Sequence, residues 1–335
     1  MELFDESRGL SRLLVLHDPP SGLRALVCID DLTLGPAAGG IRTRAYESVE
    51  EALADGTKLA RAMTIKCALA GVKAGGAKTI VLDHPNLDRA RAFEVLGTRI
   101  DELGGLYLAA GDLGTTATDL ERVAQRTAWV RTDEDVLGAA VARGLRLCLE
   151  VCAARRNRSL KGLRVAIQGC GAIGESVAHA LAAEGAELIV ADVDEARAAR
   201  VASHTKAAVV DPEEILRTDA DVLCPCGPGG VIDEALASDL GAWAVCGGAN
   251  NILTSDDAGR TLAQRGILHV PDVVSSAGAV LQGVAETIMG LRNTDALFAD
   301  LARTADAILT ESAQSGESAD VIASRMAKER ITRCA

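Results

Sequence analysis

Apolar positions in the first half of the chain alternate between short runs and helical spacings. Runs at Leu13 to Leu16 and Leu23 to Ile29, broken by the turn-forming Asp18-Pro19-Pro20-Ser21-Gly22, predict a β-hairpin. Ser48 stands three residues before Glu51, the spacing of a capping box, and Ala52, Leu59, Ala60 and Met63 follow at helical intervals. This predicts a helix ending near Met63. After a Gly-rich segment, Thr79 to Leu82 reads as a buried strand, Leu87 to Leu103 as a helix and Leu106 to Ala110 as another strand.

A helical pattern from Val136 to Cys152 and a turn at Asn157-Arg158-Ser159 lead into a second unit. There strands and helices alternate: Arg164 to Gln168, Ala172 to Ala183, Glu187 to Ala191, Glu195 to Ser203, Asp221 to Leu223, Trp243 to Cys246 and Ile267 to Val270. That rhythm belongs to a doubly wound parallel sheet, because parallel strands need helical crossovers. Beyond Gly290 the pattern is helical, with Leu297, Leu301, Ala305 and Ile308 on one face, and helices of this kind pack back on an earlier domain or a partner subunit. No internal repeat or low-complexity segment interrupts the chain. The expected fold is α/β in two domains, residues 1–135 and 136–289, with helices of 290–335 packing back on the first.

Length supports that division, since 335 residues exceed one ordinary core. Apolar residues at 48% against 24% charged ones supply enough buried surface to offset the entropy of ordering. A formal charge of -12 argues against nucleic acid, which is held by clustered Lys and Arg. The opening MELFDESRGL has no apolar leader and no run near 18 apolar residues occurs, so a cytoplasmic protein without membrane contact is expected. Nine cysteines, an odd number scattered through apolar and Gly-rich segments, fit reduced thiols. The Cys224-x-Cys226 pair has no partner pair or nearby histidine and reads as strand-end packing. The five histidines show no metal-binding spacing, and no metal is expected.

The segment from Val165 to Gly174 is an apolar strand running into Gly169-Cys170-Gly171-Ala172-Ile173-Gly174, a G-x-G-x-x-G turn at the start of a helix. Gly169 permits the tight turn, Gly171 lets backbone N–H groups approach a pyrophosphate, and Gly174 lets helix and strand pack closely. The helix N-terminus favours the phosphate charge. The next strand ends on Asp192, 18 residues after Gly174, where a carboxylate accepts from ribose hydroxyls and repels a 2′-phosphate. NAD is therefore expected rather than NADP.

Three glycine-rich settings in the first domain carry charge: Gly35 to Arg42; Met63-Thr64-Ile65-Lys66 with Gly75-Gly76-Ala77-Lys78; and Gly111-Asp112-Leu113-Gly114-Thr115-Thr116. Glycines let a ligand approach the backbone. Lys66 lies in the apolar stretch Ala62 to Ala70, so its ammonium needs an anionic partner, and a substrate carboxylate is one candidate. Two close lysines lower each other's pKa, which makes one amine a base near neutrality, with Asp112 as a compensating carboxylate and second proton-transfer group. A surface lysine and a helix-capping aspartate are the alternative reading of each charge taken singly.

The chain resembles the Glu/Leu/Phe/Val amino-acid dehydrogenase superfamily, above all its leucine, valine and phenylalanine members, from Thr33-Leu34-Gly35-Pro36 to Glu329-Arg330-Ile331. The motifs carrying the likeness are Gly35 to Arg42, Met63 to Lys66, Gly75 to Thr79, Asp112 to Thr116, Gly248-Ala249-Asn250-Asn251 and Pro271-Asp272-Val273-Val274. The resemblance implies NAD-dependent reversible oxidative deamination of a hydrophobic L-amino acid to its 2-oxo acid and ammonium, in a homo-oligomer with an N-terminal substrate and oligomerisation domain. It places Lys66 on the substrate carboxylate, Lys78 on the attacking water and Asp112 on the amino group. Ala38, Gly39, Gly40, Met63 and Ser276 fall around the substrate, and Cys226, Ala249 and Asn250 along the cofactor.

Two stretches depart from the family. Val130 to Asp135 is shorter and acidic where a Ser/Gly/Pro-rich loop is usual, with Leu137 at a threonine's place, and Ser276 stands where an asparagine helps bind substrate. They leave two other readings open: an oxidoreductase for a modified amino acid or a preformed imine, and a non-catalytic NAD-binding protein.

Overall fold

The computed structural model describes residues 9–334; the opening MELFDESR, on which part of the expectation about location falls, lies outside the described residues. Strands β1 (Arg12–Asp18) and β2 (Leu23–Asp31) form the expected hairpin, with Asp18 paired to Leu23 across the turn. Three parallel strands complete this sheet: β3 (Ala37–Arg44), β4 (Gly75–Leu82) and β5 (Tyr107–Gly111), in the order β1-β2-β4-β3-β5.

One strand has no counterpart in the apolar pattern, and one expected helix end is corrected. The Gly35 to Arg42 stretch is mostly strand β3, which lies between β4 and β5 and is buried over Ala37–Ile41. Its small residues are needed because neighbouring backbone is close: a Cβ on Gly39 would stand 1.7 Å from the Ala77 carbonyl oxygen. The first helix, α1 (Val49–Ala70), starts at the Ser48 cap as predicted but runs past Met63 to a left-handed Gly71 with φ of 70°. From Thr64 to Ala70 all but Ile65 are buried, so the last two turns have no polar face. Helices α2 (Arg89–Asp101) and α3 (Ala117–Ala124) cover the other side of the sheet.

Helix α4 (Glu134–Ala154) leads to a six-stranded, all-parallel sheet of β6 (Arg164–Gln168), β7 (Glu187–Ala191), β8 (Ala208–Val209), β9 (Val222–Pro225), β10 (Ala244–Val245) and β11 (Leu268–His269). Its order, β11-β10-β9-β6-β7-β8, reverses direction beside β6, and such a switch point opens a crevice at the strands' carboxyl ends. Helices α5 (Ala172–Ala183), α6 (Glu195–Thr205), α7 (Glu234–Asp239) and α8 (Asp256–Gln264) are the crossovers. The short α9 (Asp272–Ser275) and α10 (Gly278–Thr287) then return towards the first sheet.

The last helices, α11 (Asp295–Ser315) and α12 (Ala319–Thr332), close the molecule. Leu69 of α1, Leu149 of α4, Val165 of β6, Ile308 of α11 and Ile322 of α12 share one buried core, which holds the two sheets about a common cleft. Arg330 adds a polar tie, donating to the carbonyl oxygens of Ala68 at 3.1 Å and Leu69 at 2.7 Å. No helix among the described residues is long and apolar enough to cross a membrane.

Candidate active site

Three adjacent strands of the first sheet build the reacting centre. Lys78 sits within β4, Asp112 follows the last residue of β5, and β3 runs between them. The lysine crosses the glycines of β3 to meet the carboxylate: Lys78 Nζ lies 2.6 Å from Asp112 Oδ2. A Cβ on Gly40 would stand 2.9 Å from Asp112 Cβ and 3.1 Å from Lys78 Nζ, so this pairing depends on the missing side chain. Arg42, on the same strand, donates from Nε to the same carboxylate oxygen at 2.9 Å and reaches Asp55 with its other end at 3.1 Å. Tyr46 in turn donates to Asp55 at 2.7 Å.

These contacts set the charges. Burial pushes the Asp112 carboxyl up, but the Lys78 and Arg42 cations outweigh it and hold the group below the usual carboxylate range. Burial pulls Lys78, only 6% exposed, below an ordinary lysine, with Asp112 acting against the shift and Arg42 adding to it. An ionised carboxylate thus sits against an amine whose proton is loosely held.

Lys66 approaches from α1, in the part of the helix that the apolar spacing does not reveal. Its Nζ donates to Ser276 Oγ at 2.8 Å and to Asn250 Oδ1 at 3.5 Å. Burial lowers its pKa, countered first by the Asp272 carboxylate, whose own pKa burial raises. Among the described residues no carboxylate lies within ion-pair distance of Lys66, so the place of its anion is open. Ser276 also donates to the Asp272 carbonyl at 2.6 Å, which turns its oxygen lone pairs towards Lys66.

The three groups line one cavity of about 440 Å³ together with Ala38, Gly39, Gly40, Met63, Gly248, Asn250 and Ser276. Leu108, Leu137, Val141, Val280 and Val284 form its apolar side. Ala172 and Ile173 border it from the start of α5, so the glycine turn and the polar cluster share one space. Sequence reasoning assigns no role to Arg42, Asp272, Arg131 or Glu134. Arg42 and Asp272 stand inside the family motifs, and the acidic loop carries the other two.

At the other end of the cleft the chain fits a dinucleotide. Gly169 has φ of 94°, in the left-handed region, and Gly171 caps α5 with open space where a Cβ would stand. A Cβ on Gly174 would meet the Gly169 carbonyl oxygen at 1.9 Å. Asp192 directly follows β7 and is pinned beside the turn, its two oxygens accepting from the Cys170 N–H at 2.6 Å and the Asp194 N–H at 2.8 Å. Both oxygens keep a lone pair for a ribose hydroxyl. Cys226 borders the turn, its N–H donating to the Gln168 carbonyl at 2.7 Å and its Sγ 3.7 Å from Cys224 Sγ. Ala249 is buried, its N–H donating to the Pro225 carbonyl at 2.9 Å.

One cluster escapes the histidine spacing because it spans two helices. Ligand atoms of Glu175 and His179 on α5 and His204 on α6 lie within 4.8 Å of one another. Arg200 holds the Glu175 carboxylate with two hydrogen bonds of 3.1 and 3.0 Å, which puts a cation there already.

Residues 14–130 match the family described as Glu/Leu/Phe/Val dehydrogenase, dimerisation domain, and 189–327 match Glutamate/Leucine/Phenylalanine/Valine dehydrogenase. Residues 148–229 also match the NAD binding domain of D-isomer specific 2-hydroxyacid dehydrogenases. A leucine dehydrogenase of Bacillus subtilis is 34% identical over 99% of this chain and 95% of its own length. A phenylalanine dehydrogenase of Bacillus thermotolerans is 34% identical over 98% and 90%. The crystal structure of L-tryptophan dehydrogenase from Nostoc punctiforme superposes with a TM-score of 0.83 at 30% identity, covering 99% of this chain and 98% of that one.

Proposed function

The chain belongs to the Glu/Leu/Phe/Val dehydrogenase family, and from that premise we propose that it catalyses the NAD-dependent, reversible oxidative deamination of a hydrophobic L-amino acid to its 2-oxo acid and ammonium. The observation that carries this reading is the single cavity lined by Lys66, Lys78 and Asp112 on one side and by the start of the cofactor helix on the other. Its apolar side suits a hydrophobic substrate side chain.

Lys66, oriented by Ser276 and Asn250, receives the substrate carboxylate. That fixes the amino group and Cα towards Lys78 and Asp112. The Asp112 carboxylate takes a proton from the substrate ammonium. Lys78, its proton loosened by burial, removes a proton from the water that adds to the imine carbon, and returns it as the tetrahedral adduct expels ammonia. Bound NAD supplies the acceptor for the hydride leaving Cα. Gly169, Gly171, Gly174 and Asp192 would hold its pyrophosphate and adenosine ribose, with Cys226, Ala249 and Asn250 alongside. Residues 1–135 act as the substrate and oligomerisation domain and 136–289 as the cofactor domain, with 290–335 returning to the first.

A homo-oligomer is part of the proposal, supported by the dimerisation-domain match over 14–130, and light scattering on the purified protein tests it. A cytoplasmic location is supported by nine unpaired cysteines. The central test measures NADH formation from a broad panel of L-amino acids at alkaline pH, with NAD and NADP in parallel. Activity with NAD that falls steeply in Lys78→Ala is expected; no NADH from any amino acid overturns the reading.

A further inference from the structure

Helices α4 and α10 supply most of the cavity's apolar side, through Leu137 and Val141 on one and Val280 and Val284 on the other. The two helices are not packed alike along their length. At the start of α10 a Cβ on Gly278 would stand 1.9 Å from the Ala140 carbonyl oxygen, so the backbones touch. Further along, a Cβ on Gly283 would first meet Leu137 Cδ2 at 3.6 Å and Arg131 Cγ at 4.0 Å. The pair is closed at Gly278 and spread at Gly283.

Arg131 spans the spread end. Its Nε donates to Asp133 Oδ1 at 2.8 Å and its Nη2 to the other oxygen of that carboxylate, while Nη1 reaches Glu286 Oε2 at 2.8 Å and Thr287 Oγ1 at 3.0 Å. Its backbone N–H donates to the Ala109 carbonyl at 2.9 Å, which anchors the residue to β5. One side chain thus joins the start of α4 to the last residues of α10, the two places where the chain crosses between the sheets. Glu286 is half exposed, and such a pair alone would hold little, but a forked guanidinium with acceptors on two elements forms a network. Asp133 marks the arrangement as more than a surface contact. It is the N-cap of α4, yet among the described residues its side chain makes no capping hydrogen bond and is given to Arg131 instead. Arg131 also lies in the loop from Val130 to Asp135 that departs from the family, so the family likeness does not account for it.

We propose that Arg131 is a positioning residue that clamps the end of α10 to the start of α4 and so fixes the width of the cavity's apolar side, which sets the size of substrate side chain that is accepted. The inference rests on the deamination proposed above and adds the residue that governs its selectivity. With the clamp open, the helices pivot about the contact of Gly278 with Ala140, and Leu137 and Val284 move apart. The best substrate then loses contact with the wall, and side chains of other sizes are rejected less, because a methylene more or less is discriminated only through such fit.

The test measures kcat/KM and KM for a series of L-amino acids from alanine to tryptophan, with saturating NAD, in wild type, Arg131→Met, Arg131→Lys and Glu286→Gln. Arg131→Met keeps a long stem without the charge, Arg131→Lys keeps the charge without the fork, and Glu286→Gln weakens the α10 arm alone. Thermal melts establish that each is folded, and Glu286→Gln carries the test should Arg131→Met not fold. In Arg131→Met the ratio of kcat/KM between the best substrate and its neighbours in size is expected to fall about tenfold, through KM for the amino acid and with KM for NAD unmoved. Glu286→Gln should fall part of the way and Arg131→Lys should be rescued in part. Hydrogen exchange on the free protein gives a readout without substrate: amides from Gly283 to Ile288 are expected to exchange about 10- to 100-fold faster in Arg131→Met. An unchanged size ratio or unchanged exchange overturns the clamp, while turnover of any amino acid leaves deamination standing. No NADH from any member of the series overturns deamination and with it the selectivity role, and faster exchange would then report the clamp alone.

Discussion

Lys78 Nζ lies 2.6 Å from Asp112 Oδ2, and Arg42 reaches the same oxygen at 2.9 Å, so one carboxylate atom is shared between an amine that loses its proton readily and a guanidinium that does not. The proposed mechanism accordingly gives the proton transfer to Lys78 and makes Arg42 its fixed support. Lys78→Ala leaves Asp112 paired with Arg42, so the fold should survive. The expected loss is about 10²- to 10⁴-fold in kcat, with cofactor affinity retained. Steady-state kinetics and NADH fluorescence titration separate the two, and near-normal kcat would remove Lys78 from the mechanism.

Arg42 also tunes the pH at which Lys78 can act. Its positive charge is one of the causes that keep Lys78 below an ordinary lysine, after burial. Arg42→Gln removes that repulsion, so the Lys78 pKa rises and less neutral amine is present at a given pH. The rising limb of the deamination pH profile should therefore move to higher pH in Arg42→Gln. A profile of kcat/KM that stays in place would show that Lys78 is not the titrating base.

Gly40→Ala separates positioning from stability. The backbone there is not left-handed, and alanine in a strand gains roughly 0.5–1 kcal/mol over glycine. The new methyl meets Asp112 Cβ at 2.9 Å, the Gly111 carbonyl oxygen at 3.0 Å and Lys78 Nζ at 3.1 Å, so the reacting pair and the edge of β5 must shift to admit it. Activity is expected to fall at least tenfold, a loss consistent with displacing a reacting group by a fraction of an ångström, with little change in melting temperature. A variant with normal kcat would mean that the pair tolerates displacement.

Lys66→Met exposes a conflict between folding and binding. The buried ammonium bonds only neutral groups, and replacing a buried charge by an apolar side chain of similar length is often neutral or stabilising. The melting temperature of the free protein is therefore expected to hold or rise while KM for the amino acid climbs about 10- to 100-fold, the share of a charge-assisted hydrogen bond. A large fall in melting temperature, measured by calorimetry, would make Lys66 a structural residue instead.

Features governed by local rules are the most legible in the sequence. Gly169, Gly171 and Gly174 can be read because a tight turn, a helix cap and a close packing contact each demand glycine. The alternation of β6, α5 and β7 comes from the crossovers that parallel strands require. Strand β3 is hidden because Ala37-Ala38-Gly39-Gly40 has none of the branched residues that mark strands, and only crowding by β4 and β5 makes it one. The end of α1 is hidden because a segment buried on all sides loses its periodicity. Lys66, Lys78 and Asp112 are visible as charges among small residues, but which of them pair is a property of three-dimensional placement. So is the meeting of Glu175 and His179 with His204.

Arg330 comes after every strand of the cofactor sheet in the chain, yet it closes two carbonyls at the end of α1, whose own last turn has no basic residue. The helix that presents Lys66 is therefore finished by a residue made later than the whole cofactor domain. During synthesis that domain has all its strands in hand while the substrate helix still lacks its terminal partner.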